Sequence, residues 1–171
     1  MLRVFRNALA FLWRSPAMRL TRYSDIGLRV LIYLARSDAR QGPITMAEIA
    51  GQFDIPLNHL IKVAGHLART GWVDALRGRN GGLRLAIEPK TLRVGTILRE
   101  LEGGDELMDC DGLACHLRKD CILRAALKVG LQAFYTAMDT YTLHDLCDGK
   151  IGEQIVLMHS SFMKQAVRLP M

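Results

Sequence analysis

A chain of 171 residues has room for one compact unit with a modest appendage, and it excludes a pair of large enzyme domains. The net charge of +6 is unevenly spread: residues 1–17 carry three Arg and no acid, residues 18–103 carry 13 basic and 8 acidic side chains, residues 104–147 carry 4 and 7, and residues 148–171 carry 3 and 2. The uninterrupted apolar run Ala8 to Trp13 is too short for a membrane span and short for an export signal, so the sequence reads as cytoplasmic, with no membrane partner.

The first predicted element follows Ser24 and Asp25, either of which is a candidate N-cap. Leu28, Leu31, Ile32 and Ala35 then step by three and four, which predicts a core-facing helix of about three turns. After a loop from Ser37 to Pro43, Thr45 and Glu48 form a capping-box pattern at the start of a short helix. Phe53 to Pro56 suits a tight turn, with Pro56 in the first turn of the next helix. That helix, Leu57 to Thr70, buries Leu60, Val63, Ala64 and Leu67 and turns Asn58, His59, Lys62 and His66 outward.

Two helices joined by a three- or four-residue turn predict a helix-turn-helix, whose second helix is able to enter a major groove. Two short strands, Trp72 to Leu76 and Leu83 to Ala86, flank the tip Arg77-Gly78-Arg79-Asn80-Gly81-Gly82 and predict a wing. Thr91 to Leu101 returns to helical spacing and stops at Gly103-Gly104. From Gly104 to Asp120 no period is present, which predicts a loop. From Cys121 onward, Leu123, Ala126, Leu127, Gly130, Leu131, Phe134, Met138 and Tyr141 predict a long one-sided helix, with Asp120 as its potential cap. Such a helix wants a partner, and a crossing with its own copy in a homodimer is expected. A further helix is expected around Ile151 to Lys164.

The predicted fold is therefore mainly α with a small β wing. Its parts are an N-terminal extension (1–17), a winged helix-turn-helix domain (18–103), a cysteine loop (104–120), a dimerisation helix region (121–147) and a C-terminal segment (148–171). A DNA reader needs cations for phosphates and polar groups for base edges. Asn58, His59 and Lys62 at the start of the recognition helix, with Arg77, Arg79 and Asn80 on the wing, supply both. Double-stranded DNA is the expected partner. There is no nucleotide loop, nucleophile elbow or acid/base constellation of an enzyme.

Cys110, Cys115 and Cys121 lie within one acidic loop. A zinc site would ordinarily show paired CxxC knuckles, so three thiolates here suit an iron–sulfur cluster better. Zinc, a thiol/disulfide switch and inert buried thiols are the competing readings. Cys147 follows Leu146 in an amphipathic stretch and reads as a core residue.

MRLTRYSDIGLRVLIYLA from Met18, IAGQFDIPLNHLIKV from Ile49, the wing RGRNGGLRLA and CDGLACHLRKDCILRAAL together resemble the Rrf2 family of transcriptional regulators, and the cysteine spacing resembles that of its nitric-oxide-responsive repressors. The resemblance runs from Met18 to about Asp148. It implies a homodimer on an inverted-repeat operator, released by nitric oxide. It also implies one 4Fe–4S cluster per subunit, held by the three cysteines and by Asp25 of the partner subunit. Read from the sequence alone, Asp25 is equally a helix cap. The family branch with a 2Fe–2S cluster has a histidine three residues after the third cysteine, where Arg124 stands here, although His116 inside the loop is an alternative ligand. An iron–sulfur redox or iron-status sensor of the same family is the alternative function. Residues 1–17 precede the resemblance. An upstream start codon chosen in error is the expectation for them, with a membrane-surface helix or a targeting piece as the alternative.

Overall fold

The computed structural model describes residues 19–36, 42–78, 81–104, 106–108, 115 and 120–168. Its elements are α1 (Arg22–Arg36), α2 (Met46–Phe53), α3 (Leu57–Arg69), β1 (Val73–Leu76), β2 (Gly82–Leu85), α4 (Val94–Glu102), α5 (Ile122–Met138), α6 (Leu143–Cys147) and α7 (Gly149–Arg168). The expectation of a mainly helical fold with a two-stranded wing is met.

Helix α1 starts earlier than its periodicity suggested. Thr21 precedes it, and the Thr21 Oγ1 accepts the Ser24 N–H at 3.2 Å. Ser24 is fully buried and Asp25 lies inside the first turn, so neither is the N-cap. The helix is also less one-sided than expected. Ile26, Val30, Leu31, Tyr33 and Leu34 are buried, with Leu28, Ile32 and Ala35 packed partly against the core, because neighbours lie on several sides. α3 and α4 lean on it from one part of the chain, α6 and α7 from another.

The capping box on α2 forms by half. Thr45 accepts the Glu48 N–H at 3.1 Å, but the Glu48 carboxylate turns inward instead of back to Thr45. It accepts the Tyr33 hydroxyl at 2.7 Å and meets Nδ1 of His159, on α7, at 2.5 Å. A carboxylate 2% exposed needs such partners, and those partners fix α2 against both α1 and the C-terminal helix.

The turn between α2 and α3 hinges on Asp54, whose φ of 50° is left-handed and whose N–H caps the Ala50 carbonyl. Pro56 falls one position outside α3 as its cap residue, and its carbonyl accepts the His59 and Leu60 amides. Leu60, Val63, Ala64 and Leu67 face the core, as their spacing predicted.

The wing pairs Val73 with Leu85 and Leu76 with Gly82 in antiparallel register. Ile44 adds one further rung to β2 by exchanging both backbone hydrogen bonds with Leu83, at 2.9 and 2.7 Å. That rung brings the Ile44 carbonyl so close to Gly82 that a Cβ there has no room.

α5 is capped by Cys121 itself and not by Asp120. It meets the rest of the chain mainly through its C-terminal half. Tyr135, Leu131 and Met138 close a small second cluster with Val94 and Leu98 of α4. Gly95 allows this approach, since a Cβ there would collide with the Tyr135 carbonyl and the Asp139 carboxylate. α6 opens on a complete capping box between Thr142 and Asp145. The Thr142 backbone N–H, and after it the Thr142 hydroxyl, donate to the Asp145 carboxylate and hold it below its usual range.

Candidate nucleic-acid interface and cysteine loop

Helix α3 is held from behind by its four core residues, which leaves the opposite face to solvent. Asn58, His59 and Lys62 are all exposed on it, so the structure brings these three predicted residues together at the start of one helix. The Asn58 Oδ1 accepts the His59 N–H at 3.0 Å, leaving the carboxamide N–H₂ group to point elsewhere. Arg77 is exposed just beyond β1, before Gly78 at φ 103°. Arg79 and Asn80 lie outside the described residues. Leu57 and Ile61, which carry no polar group to mark them in the sequence, are exposed on this helix too.

His66, expected to face outward with the others, does something different. Its Nδ1 meets the Tyr23 hydroxyl at 2.9 Å and its Nε2 meets Glu100 Oε1 at 2.8 Å. One imidazole thus ties α3 to α1 and α4 at once. Tyr23 also reaches the Lys62 carbonyl at 3.4 Å. The start of α1 is tied to α4 again, because Glu102 Oε1 accepts the Thr21 N–H at 2.9 Å. No local pattern could have announced partners 43 and 34 residues away.

Of the cysteine loop, Cys115, Cys121 and the flanking residues 106–108 and 120 are described, while Cys110 and His116 lie outside the described residues. Cys115 and Cys121 are partly exposed free thiols. The Cys121 Sγ accepts the Arg124 N–H at 3.4 Å, so this sulfur satisfies an otherwise orphaned amide in the first turn of α5. The Arg124 guanidinium is turned toward Glu106, with Nε 3.2 Å from Oε1 and Nη2 closer still. Asp25 is half exposed on α1 and is paired within its own chain to Arg29 Nε at 2.9 Å. Among the described residues no three His, Cys, Asp or Glu side chains converge on one point. Cys147 lies apart from the loop: it is 4% exposed, its Sγ donates to the Leu143 carbonyl at 2.7 Å, and burial pushes its thiol up to about 11.

Among the described residues, the face of α5 turned away from α4 is uncovered. Ile122, Leu123, Val129 and Phe134 are exposed, and an open cleft of about 610 Å³ runs between Leu20, Leu107, Ala126, Gly130, Leu131 and Phe134. Among the described residues no helix is long and apolar enough to cross a membrane.

Residues 20–149 match the family model Rrf2, described as an iron-dependent transcriptional regulator. Among solved structures, the chain is similar to CymR, the global cysteine regulator of B. subtilis, at 26% identity and a TM-score of 0.61, over 76% of this chain and 96% of that one. A putative transcriptional regulator from Listeria innocua gives 27% identity and a TM-score of 0.61, over 80% and 90% of the two chains. T. potens IscR shares the fold, with 23% identity and a TM-score of 0.60 over 76% and 86%.

Proposed function

The chain belongs to the Rrf2 family of transcriptional regulators, and from that premise we propose that it is a dimeric repressor that binds an inverted-repeat operator in the cytoplasm and senses nitric oxide through an iron–sulfur cluster in its cysteine loop. It is a regulator, not an enzyme.

The observation that carries the sensing reading is the place of Cys121. A sulfur that accepts a backbone N–H at a helix N-terminus sits where negative charge is favoured, which is the chemistry a thiolate ligand needs. The donor set fits an iron–sulfur cluster. Cys110, Cys115 and Cys121 would hold it, with Asp25 of the partner subunit as the fourth donor of a 4Fe–4S form. When bound, the cluster supplies iron that nitric oxide can attack, most readily where a hard carboxylate is the weaker ligand. Arg124 supports this form over the 2Fe–2S alternative: a guanidinium has no lone pair to give, and here it is directed at Glu106.

The chain's own residues connect that loop to DNA in two ways. Cys121 fixes the first turn of α5, whose bare apolar face is suited to the second copy. A change at the thiolate would therefore reset the dimer crossing and the spacing of the two recognition helices. Asp25, for its part, lies two residues from Tyr23, which holds the recognition helix through His66. Freeing Asp25 would let the first turn of α1 move, and α3 with it.

Anaerobic purification tests the reading. The expected result is a brown dimer with about one cluster per chain, whose operator affinity falls when nitric oxide is added. A colourless protein with stoichiometric zinc would overturn it. The family description as iron-dependent favours a second reading, an iron-status or redox sensor. Release of DNA by an iron chelator or peroxide, but not by nitric oxide, would select that one.

A further inference from the structure

The recognition helix carries an apolar edge that its own core does not use. Ile61 is 56% exposed and Leu57, one turn earlier on the same side, is 48% exposed. The core-facing stripe of Leu60, Val63, Ala64 and Leu67 is already complete without them. Beside this edge, on the outward face, stand Asn58, Lys62 and Arg69, with Gly65 between them. Among the described residues, a Cβ at Gly65 would meet only the Arg69 guanidinium, at 3.7 Å, so their packing does not call for glycine there.

Two large aliphatic side chains among cations need an occupant that is both apolar at a point and negatively charged around it. A second copy of this basic face fails on charge. The major groove meets both conditions, because its walls are phosphate and its floor carries one apolar group, the C5 methyl of thymine. The lack of a side chain at Gly65 leaves room for the helix to approach that floor closely.

Resting on the DNA-binding reading above, we propose that Ile61, assisted by Leu57, determines operator specificity by packing on thymine methyl groups in each half-site. Asn58 and Lys62 serve the polar edges and phosphates beside them. The basic residues supply affinity for any duplex, and the apolar edge discriminates A·T from G·C at one or two positions.

The test starts with duplexes selected from a random-sequence library by the cluster-loaded dimer, after which each thymine is replaced singly by deoxyuridine, a change that removes the methyl group alone. At one or two positions per half-site the replacement should weaken binding about fourfold, the worth of one buried methyl. The same replacement should cost Ile61→Ala less than about twofold, and Ile61→Gln should select a different base at that position. Both variants change an exposed side chain, and circular dichroism confirms their fold before binding is read. If every deoxyuridine duplex binds like its parent, or if Ile61→Ala keeps the full methyl effect, the proposal falls. If no duplex is selected at all, the DNA-binding reading itself has failed.

Discussion

The Tyr23 hydroxyl and the His66 imidazole meet at 2.9 Å, joining the first turn of α1 to the recognition helix. Because Asp25 follows Tyr23 by two positions, this contact offers a direct physical path from the proposed carboxylate ligand to the recognition helix. Tyr23→Phe keeps the ring and its packing against His66 but deletes the hydrogen bond. Cluster content and operator affinity before the signal should stay within about twofold, while the loss of affinity on nitric oxide addition shrinks several-fold, on the order of 1 kcal/mol of coupling. Fluorescence anisotropy with and without nitric oxide reads both quantities. An unchanged response in the variant would place the coupling elsewhere, most simply in α5.

Glu48 and His159 form the buried contact that anchors the C-terminal helix, with the Tyr33 hydroxyl on the same carboxylate oxygen. His159→Leu leaves a buried carboxylate with the Tyr33 hydroxyl as its neighbour, and removing one member of such a pair costs about 3 kcal/mol. For a chain of this size that corresponds to a fall of roughly 10 °C in Tm by calorimetry. The double variant Glu48→Leu/His159→Leu should recover much of the loss, since apolar groups of similar volume replace both partners. A double variant as unstable as the single one would mean that the pair contributes geometry that no apolar packing restores.

How far the sequence told this story depends on the range of the interaction. The core face of α3, the turn at Asp54 and the stop at Gly103 follow from spacing and local chemistry, which three- and four-residue steps report directly. Thr45 and Glu48 carried a local signal that was half overridden, because burial against Tyr33 and His159 outweighs a second capping bond at a helix end. The positions of Asn58, His59 and Lys62 were legible. The diversion of His66 was not, since its partners come from α1 and α4. Ile61 has no polar group, so nothing in the spacing or charge pattern set it apart from its core neighbours. The assignment of Cys121 and not Asp120 as the cap of α5 turned on a single position, which periodicity does not resolve.

Cys147 should behave unlike the loop cysteines. Burial pushes its thiol from 9.0 to about 11, so at pH 8 only about one in a thousand would be thiolate. In the folded apo protein, a thiol reagent at pH 8 should modify Cys115 and Cys121, which are partly exposed, and leave Cys147 unmodified until denaturant is added. The sign of the linkage follows from the raised value. The contribution of the buried thiol is fully present below pH 9 and is lost as pH rises toward about 11, so wild type should lose stability over that window relative to Cys147→Ala. Peptide mapping after alkylation checks the first point and urea melts at pH 8 and 10.5 the second. Rapid labelling of Cys147 in the native protein would contradict its place in the core.

Gly130 separates the dimer proposal from the stability of the single chain. It lies mid-helix in α5, and among the described residues a Cβ there meets nothing within 4 Å. Glycine in a helix interior costs about 1 kcal/mol relative to alanine, so intrachain energetics argue against it. With Ala126 one turn earlier, it makes a shallow place where a second α5 can cross closely, flanked by Leu123 and Phe134 as the larger contacts. Gly130→Leu fills that place. The described residues of the single chain leave room for a Cβ at this position, and the helix gains propensity. Sedimentation should therefore show the variant shifted toward monomer by at least about tenfold in dissociation constant, with helix content by circular dichroism unchanged or slightly raised. Operator binding should fall with the dimer, since one recognition helix alone holds half a site. A fully dimeric Gly130→Leu protein would move the interface away from this face of α5, and with it the proposed path by which Cys121 sets the spacing of the two recognition helices.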